Sequence, residues 1–244
     1  MSQKPIKHSL PRFLAPLASL AMATALLGLQ APAGRADTAP AAGTDYVQLQ
    51  EPLQVPPREV VEVFYYNCPH SYQLETPLDE WAERQKVTVL RIPAAWSDRQ
   101  DMLAYARLYY TLDRLGIAQR EALAVFHAVR DEHWDLTGAD AAADWATQQG
   151  IDPAAFRAAY DLPEVWNETV AAPALRERYQ VEEMPSVVVG GRYRTSPFLA
   201  AGGVDGVVPV VDYLLRAEPR PDSRPDSRPD QRPDSRPEPM PAVR

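Results

Sequence analysis

Apolar positions along the chain follow two periods, and the change from one to the other divides it into segments. R-E-V-V-E-V-F-Y-Y-N-C, residues 58–68, is a β-branched and aromatic run of the kind that forms a buried strand. S-Y-Q-L-E-T-P-L-D-E-W-A-E-R-Q, residues 71–85, follows with Tyr72, Leu74, Leu78 and Trp81 at helical spacing. K-V-T-V-L-R-I-P, residues 86–93, reads as a second strand ended by Pro93, which completes a β-α-β unit with Cys68 at the start of the helix.

Beyond it the period stays helical for about seventy residues. Ser97-Asp98-Arg99-Gln100 resembles a capping box and opens a helix through Leu115, closed by Gly116. A second helical run covers residues 118–134, and an alanine-rich third ends at Gly150. Asp152-Pro153 is an N-cap and first-turn proline for a fourth. Residues 167–181 are again helical, with a kink expected at Pro173. M-P-S-V-V-V-G-G-R-Y-R-T-S-P, residues 184–197, reads as a hairpin turning at Gly-Gly, and residues 206–218 as a closing amphipathic helix with Pro209 in its opening turn. Two β-containing parts, 45–96 and 169–217, therefore flank a helical insertion, 97–168. The fold class is α/β with a mixed sheet.

The flanks differ in kind. Residues 1–36 carry Lys4, Lys7 and Arg12, then an uncharged run from Leu14 to Gly34, then small-residue sites at Ala31-Pro32-Ala33 and Gly34-Arg35-Ala36. That order describes a secretory signal peptide, with an uncleaved membrane anchor as the alternative. Removal of its four basic residues takes the formal net charge from −8 to −12. An acidic mature chain without a basic cluster argues against nucleic acid and against an anionic membrane surface as partners. Residues 37–44 read as a flexible leader. Residues 218–244 repeat R-P-D-S or R-P-D-Q with proline throughout and read as a disordered tail.

One cysteine in an exported chain cannot form an internal disulfide, so Cys68 is a free thiol in an oxidising compartment. At a helix start, unpaired amides and the macrodipole favour a thiolate, Pro69 sets the first turn, and His70 brings an imidazole near. Ser71 lies on the same helical face and is placed to donate its hydroxyl to the sulfur. The competing assignment for a lone cysteine is a small buried apolar residue. His127 and His133 have no partners at ligand spacing, so no metal is expected.

Cys68-Pro69-His70 after the strand, the helical insert, and Val181-Glu182-Glu183-Met184-Pro185 before the hairpin resemble the DsbA family of exported, periplasmic thiol:disulfide oxidoreductases. The resemblance covers about residues 45–217 and implies a thioredoxin-like fold with an inserted helical domain. It also implies a cis Met184–Pro185 bond facing Cys68, with Met184 and Pro185 as the substrate-binding pair; taken alone, Met-Pro favours trans. Glu62, six residues before Cys68, matches the family's buried acid beneath the active site. The alternative is a strand-end glutamate reaching water.

The departure is Ser71, which replaces the family's second cysteine. The family's complete motif resolves a mixed disulfide from within. Here an external thiol must do so, whether the serine is natural or engineered. The leading expectation is a monothiol oxidoreductase acting on exported proteins with thiols or disulfides, together with a redox partner protein. It needs no cofactor, but glutathione or another small thiol serves as co-substrate. Two alternatives stand: a redox-idle, chaperone-like binding protein using the Met184–Pro185 groove, and a glutathione transferase of related build using Ser71.

Overall fold

The computed structural model describes residues 39–56 and 58–218. The expected signal peptide, the first two leader residues and the tail beyond Glu218 lie outside the described residues. Five strands and seven helices follow in the order β1 (Val47–Gln48), β2 (Val60–Phe64), α1 (Pro69–Gln85), β3 (Val89–Pro93), α2 (Gln100–Arg114), α3 (Ala118–Arg130), α4 (Ala139–Gln148), α5 (Pro153–Tyr160), α6 (Pro163–Arg178), β4 (Ser186–Val189), β5 (Tyr193–Thr195) and α7 (Val204–Ala217).

The strands form one mixed sheet in the order β1-β5-β4-β2-β3. β2 lies at its centre, parallel to β3 and antiparallel to β4. Alternation along β2 sends successive side chains to opposite faces. Val60 packs with Leu74, Leu78 and Trp81 of α1 and with Val207, Val211 and Leu215 of α7. Val61 and Val63 face Met102 and Ala106 of α2 and Val165 and Ala172 of α6. A further core inside the helical part joins Leu108, Phe126, Trp145 and Phe156, and Phe64 and Tyr66 reach into it from the end of β2. The insert is thus welded to the strand that leads to Cys68.

Several expectations are refined. α2 starts at Gln100 with Arg99 as an uncapped N-cap, so the Ser97 capping box is not formed. The Arg99 amide bonds the Trp96 carbonyl at 3.0 Å, and the turn this closes delays the helix. α6 begins at Pro163 and continues through Pro173, so the boundary drawn at residue 168 falls within one helix. Within the expected flexible leader, Ala41 donates to Asp45 Oδ2 at 2.8 Å and Gly43 to the Tyr46 carbonyl at 2.7 Å, which folds these residues into a turn. β1 was not expected: two residues carry too little pattern to read, and their strand exists only by pairing with β5.

Candidate functional site

Cys68 is the N-cap of α1, with extended backbone (φ −96°, ψ 120°) and no side-chain cap of its own. Pro69 follows in the first turn, where its missing N–H removes nothing from the helix. The Cys68 amide donates to the Tyr65 carbonyl at 2.9 Å, and the Cys68 carbonyl accepts from Tyr72 N–H at 3.1 Å. The sulfur is thereby held at the mouth of the helix, half-buried and free of any disulfide.

Met184–Pro185 is a cis peptide bond. The Cys68 thiol donates to the Met184 carbonyl across 3.4 Å, which brings together residues 116 positions apart. Strand β4 leaves directly from this loop, so an extended segment laid against Met184 would pass the sulfur. Glu183 anchors the loop: its carboxylate accepts from Ser196 Oγ at 2.5 Å and lies 3.4 Å from Arg194 Nη1, and its carbonyl accepts from Ser186 Oγ at 2.7 Å.

His70 sits on the outer side of the turn with its ring edge-on to Phe198, centroids 5.3 Å apart. Phe198 is 59% exposed, an apolar surface against His70 that sequence patterning did not single out. Ser71 is fully buried, and its recorded partner is Tyr65, whose N–H donates to Oγ at 3.3 Å. No hydrogen bond between Ser71 Oγ and the Cys68 sulfur is present among the described residues, and the bond that Oγ accepts ties α1 to the end of β2.

Beneath the turn, Glu62 is fully buried on the α1 face of β2, so it does not reach water. The parallel register sets it opposite Arg91 of β3. Arg91 Nε donates to Glu62 Oε2 at 3.1 Å, and Nη2 lies 3.3 Å from Glu75 and 2.5 Å from Asp79. Gln119 of α3 joins both Arg91 and Asp79. One guanidinium therefore serves three carboxylates, two of them sealed from solvent. Among the described residues, neither Glu75 oxygen nor Glu62 Oε1 has a hydrogen-bond partner. Burial raises the Glu62 carboxyl, with Arg91 opposing, and burial followed by repulsion from Glu62 pushes Glu75 up to about 8. At neutral pH this cluster holds a proton one helical turn below Ser71.

Glu75, Asp79 and Arg91 escaped the sequence reading. The available signals were an acid at a core-facing position of α1, between Leu74 and Leu78, and a charge inside an otherwise apolar strand. Among the described residues, no group of three or more His, Cys, Asp or Glu side chains is placed to hold a metal ion.

Comparison with known proteins places this geometry in context. The sequence model of the DSBA-like thioredoxin domain matches residues 74–209, beginning just past the Cys68–Ser71 turn. The thiol:disulfide interchange protein DsbA of Burkholderia cepacia is 32% identical over 204 residues, covering 80% of this chain and 95% of that protein. DsbA of Pseudomonas aeruginosa strain PAO1 is 34% identical over 182 residues, covering 72% and 85%. The crystal structure of Pseudomonas aeruginosa DsbA superposes with a TM-score of 0.66 at 32% identity, covering 72% of this chain and 93% of that one. That of the oxidoreductase DsbA from Xylella fastidiosa does so at 0.65 and 28%, covering 74% and 98%.

Proposed function

The chain belongs to the family of DsbA-like thioredoxin-fold proteins, thiol:disulfide interchange proteins, and from that premise we propose that it works through the single sulfur of Cys68 on exported proteins. In the first step the Cys68 thiolate attacks a client disulfide, forming one S–S bond and releasing the second client sulfur as thiolate. Ser71 cannot complete the exchange from within, because an alcohol oxygen does not displace a sulfur from a disulfide. External thiol then resolves the mixed disulfide by further exchanges until Cys68 is free again, with one S–S bond made for each one broken at every step.

The observation that carries the reading is the 3.4 Å contact between Cys68 Sγ and the Met184 carbonyl. It sets a half-exposed sulfur beside the backbone that an extended client would pair with. An ionised sulfur cannot donate this bond, so the carbonyl becomes free to accept from a client amide. Glu62, Glu75 and Arg91 act below as a local proton buffer. His70 lines the approach to the sulfur, and Pro69 and Ser71 hold the turn.

Export to the periplasm follows from residues 1–36, cleaved after Ala36, and among the described residues no helix is long and apolar enough to cross a membrane. The mass of the secreted chain, starting at Asp37, checks the processing. Insulin or a model mixed disulfide incubated with a small thiol tests the activity: exchange should be catalysed, and Cys68→Ala should abolish it. The exposed Phe198 favours a second reading, a redox-idle binding protein whose groove holds unfolded segments. Peptide binding undiminished in Cys68→Ala, with no exchange by the parent protein in any thiol assay, would select it.

A further inference from the structure

An open cleft of about 400 Å³ flanks the Cys68 turn on the side of the helical insert, within the size range of small-ligand sites. Tyr65, Asn67, Asp101, Arg130, His133 and Asp135 line it, and neither Met184, Pro185 nor Phe198 does. Cys68 itself does not line the cleft and its thiol points to the Met184 carbonyl, so a small molecule held here would leave the proline-loop side open to a client.

The wall carries both signs of charge. Among the described residues Arg130 is held through Nη1, to Asn67 Oδ1 at 2.7 Å and the Asn67 carbonyl at 3.2 Å, and none of them takes up Nη2 or Nε. His133 is exposed and without a hydrogen-bond partner among the described residues. Opposite in charge, Asp135 is held through Oδ1 by the Thr137 hydroxyl at 2.6 Å and amide at 3.1 Å, so Oδ2 is available. Asp101 is already engaged on both oxygens, Oδ1 by Arg99 Nε at 2.9 Å and Oδ2 by Arg99 Nη2 at 2.7 Å and Tyr65 Oη at 2.9 Å, so Asp135 is the carboxylate left to a ligand. A simple anion would meet the Asp135 carboxylate here and a simple cation the Arg130 guanidinium. A ligand bearing both a carboxylate and an ammonium satisfies the wall.

Reach supplies the other half of the argument. Asn67 is bonded to Cys68, so the cleft begins about 3.8 Å along the chain from the reactive residue. A tripeptide thiol spans roughly 10 Å when extended. With its charged end in the cleft, such a ligand has to extend past Asn67 to bring its sulfur to Sγ, a span within that length.

We propose that this cleft is the docking site for a zwitterionic small thiol of the glutathione type, the agent that releases the Cys68 mixed disulfide. The inference rests on the single-thiol reading and deepens it. The docked thiol loses its proton to solvent and its sulfur attacks Cys68 Sγ. A Cys68–small-thiol disulfide forms, the Cys68–client bond breaks, and the client leaves as thiolate on the proline-loop side. A second small thiol then attacks that disulfide, giving the oxidised small-thiol dimer and free Cys68. Two small thiols are oxidised for each client disulfide reduced.

The test starts from the Cys68 adduct with Ellman's reagent and follows the release of coloured thiobenzoate by stopped flow, with glutathione or 2-mercaptoethanol as attacking thiol. The rate should saturate with glutathione and stay linear with 2-mercaptoethanol. S-methylglutathione, which has no thiol, should compete with the first only. Arg130→Gln should lower the glutathione-to-mercaptoethanol rate ratio about tenfold, the loss of one charge-assisted hydrogen bond, and Asp135→Asn should lower it in the same sense. Linear rates with both thiols, no competition and an unaltered ratio would overturn the docking site while leaving the single-thiol reading intact. An adduct that forms but that neither thiol releases would overturn both.

Discussion

Replacing Glu75 by glutamine isolates what the buried charge cluster does to stability. Glu75 titrates near 8 in the folded protein because burial and Glu62 disfavour its anion, against an ordinary value of 4.5. Between those values the native state holds a proton that the unfolded chain has released, so stability falls as pH rises. The contribution is complete below about pH 4.5 and is lost progressively up to about pH 8. One proton gives a slope of about 1.4 kcal/mol per pH unit, hence a loss of roughly 2–3 kcal/mol between pH 5 and pH 7. Carboxyls with lowered values, such as Asp101 near 2, are ionised in both states across this window and leave the slope alone. Glutamine mimics the neutral acid, so Glu75→Gln should flatten the profile and raise stability at pH 7 by about 3 kcal/mol. Urea unfolding at pH 5, 6 and 7, followed by fluorescence of the buried Trp81 and Trp145 and fitted with a common m-value, measures both effects. An unchanged slope in the variant, or a loss of stability at pH 7, would refute the account of a strained, proton-holding cluster.

Arg91→Met should act in the opposite direction, because it strands Glu62, Glu75 and Asp79 without their cation. A loss of about 3–5 kcal/mol at pH 7, shrinking as the pH falls and the acids protonate, is expected in the same urea assay. Phe198→Ala removes an exposed ring, so thermal stability should move by no more than about 0.5 kcal/mol while affinity for an apolar client peptide falls several-fold in a fluorescence titration. Ser71→Cys places a second sulfur one turn along α1. Thiol counting should show two free thiols becoming none on oxidation, and the oxidised variant should pass its disulfide to a reduced peptide. Persistence of two thiols under oxidant would mean that the turn does not bring the two side chains together.

Much of the site was legible because it is local. A strand, a turn and a helix over residues 58–85 place Cys68 at a helix mouth whatever the rest of the chain does, and the Gly-Gly turn and β-branched runs mark the hairpin. The capping signal at Ser97 fails for an equally local reason: the Trp96–Arg99 turn keeps residues 97–99 out of the helix, so Gln100 opens α2 instead of standing at its third position. Ser71 shows the limit of reasoning from helical spacing alone. Its oxygen accepts from the Tyr65 amide at the end of β2, a partner on another element that spacing along α1 cannot reveal.

Element type, chain order and the position of the reactive sulfur were set by the sequence on its own, since periodicity, proline and glycine act over a few residues. The identity of the partners was settled only by the tertiary structure. Met184 meets Cys68 across 116 positions, and Glu62 meets Arg91 because a parallel crossover sets their register. Phe198 meets His70 and Arg130 meets Asn67 because the segment after β5 and the helical insert each close on the turn. Such contacts depend on how layers pack, and packing is a property of the whole assembled core.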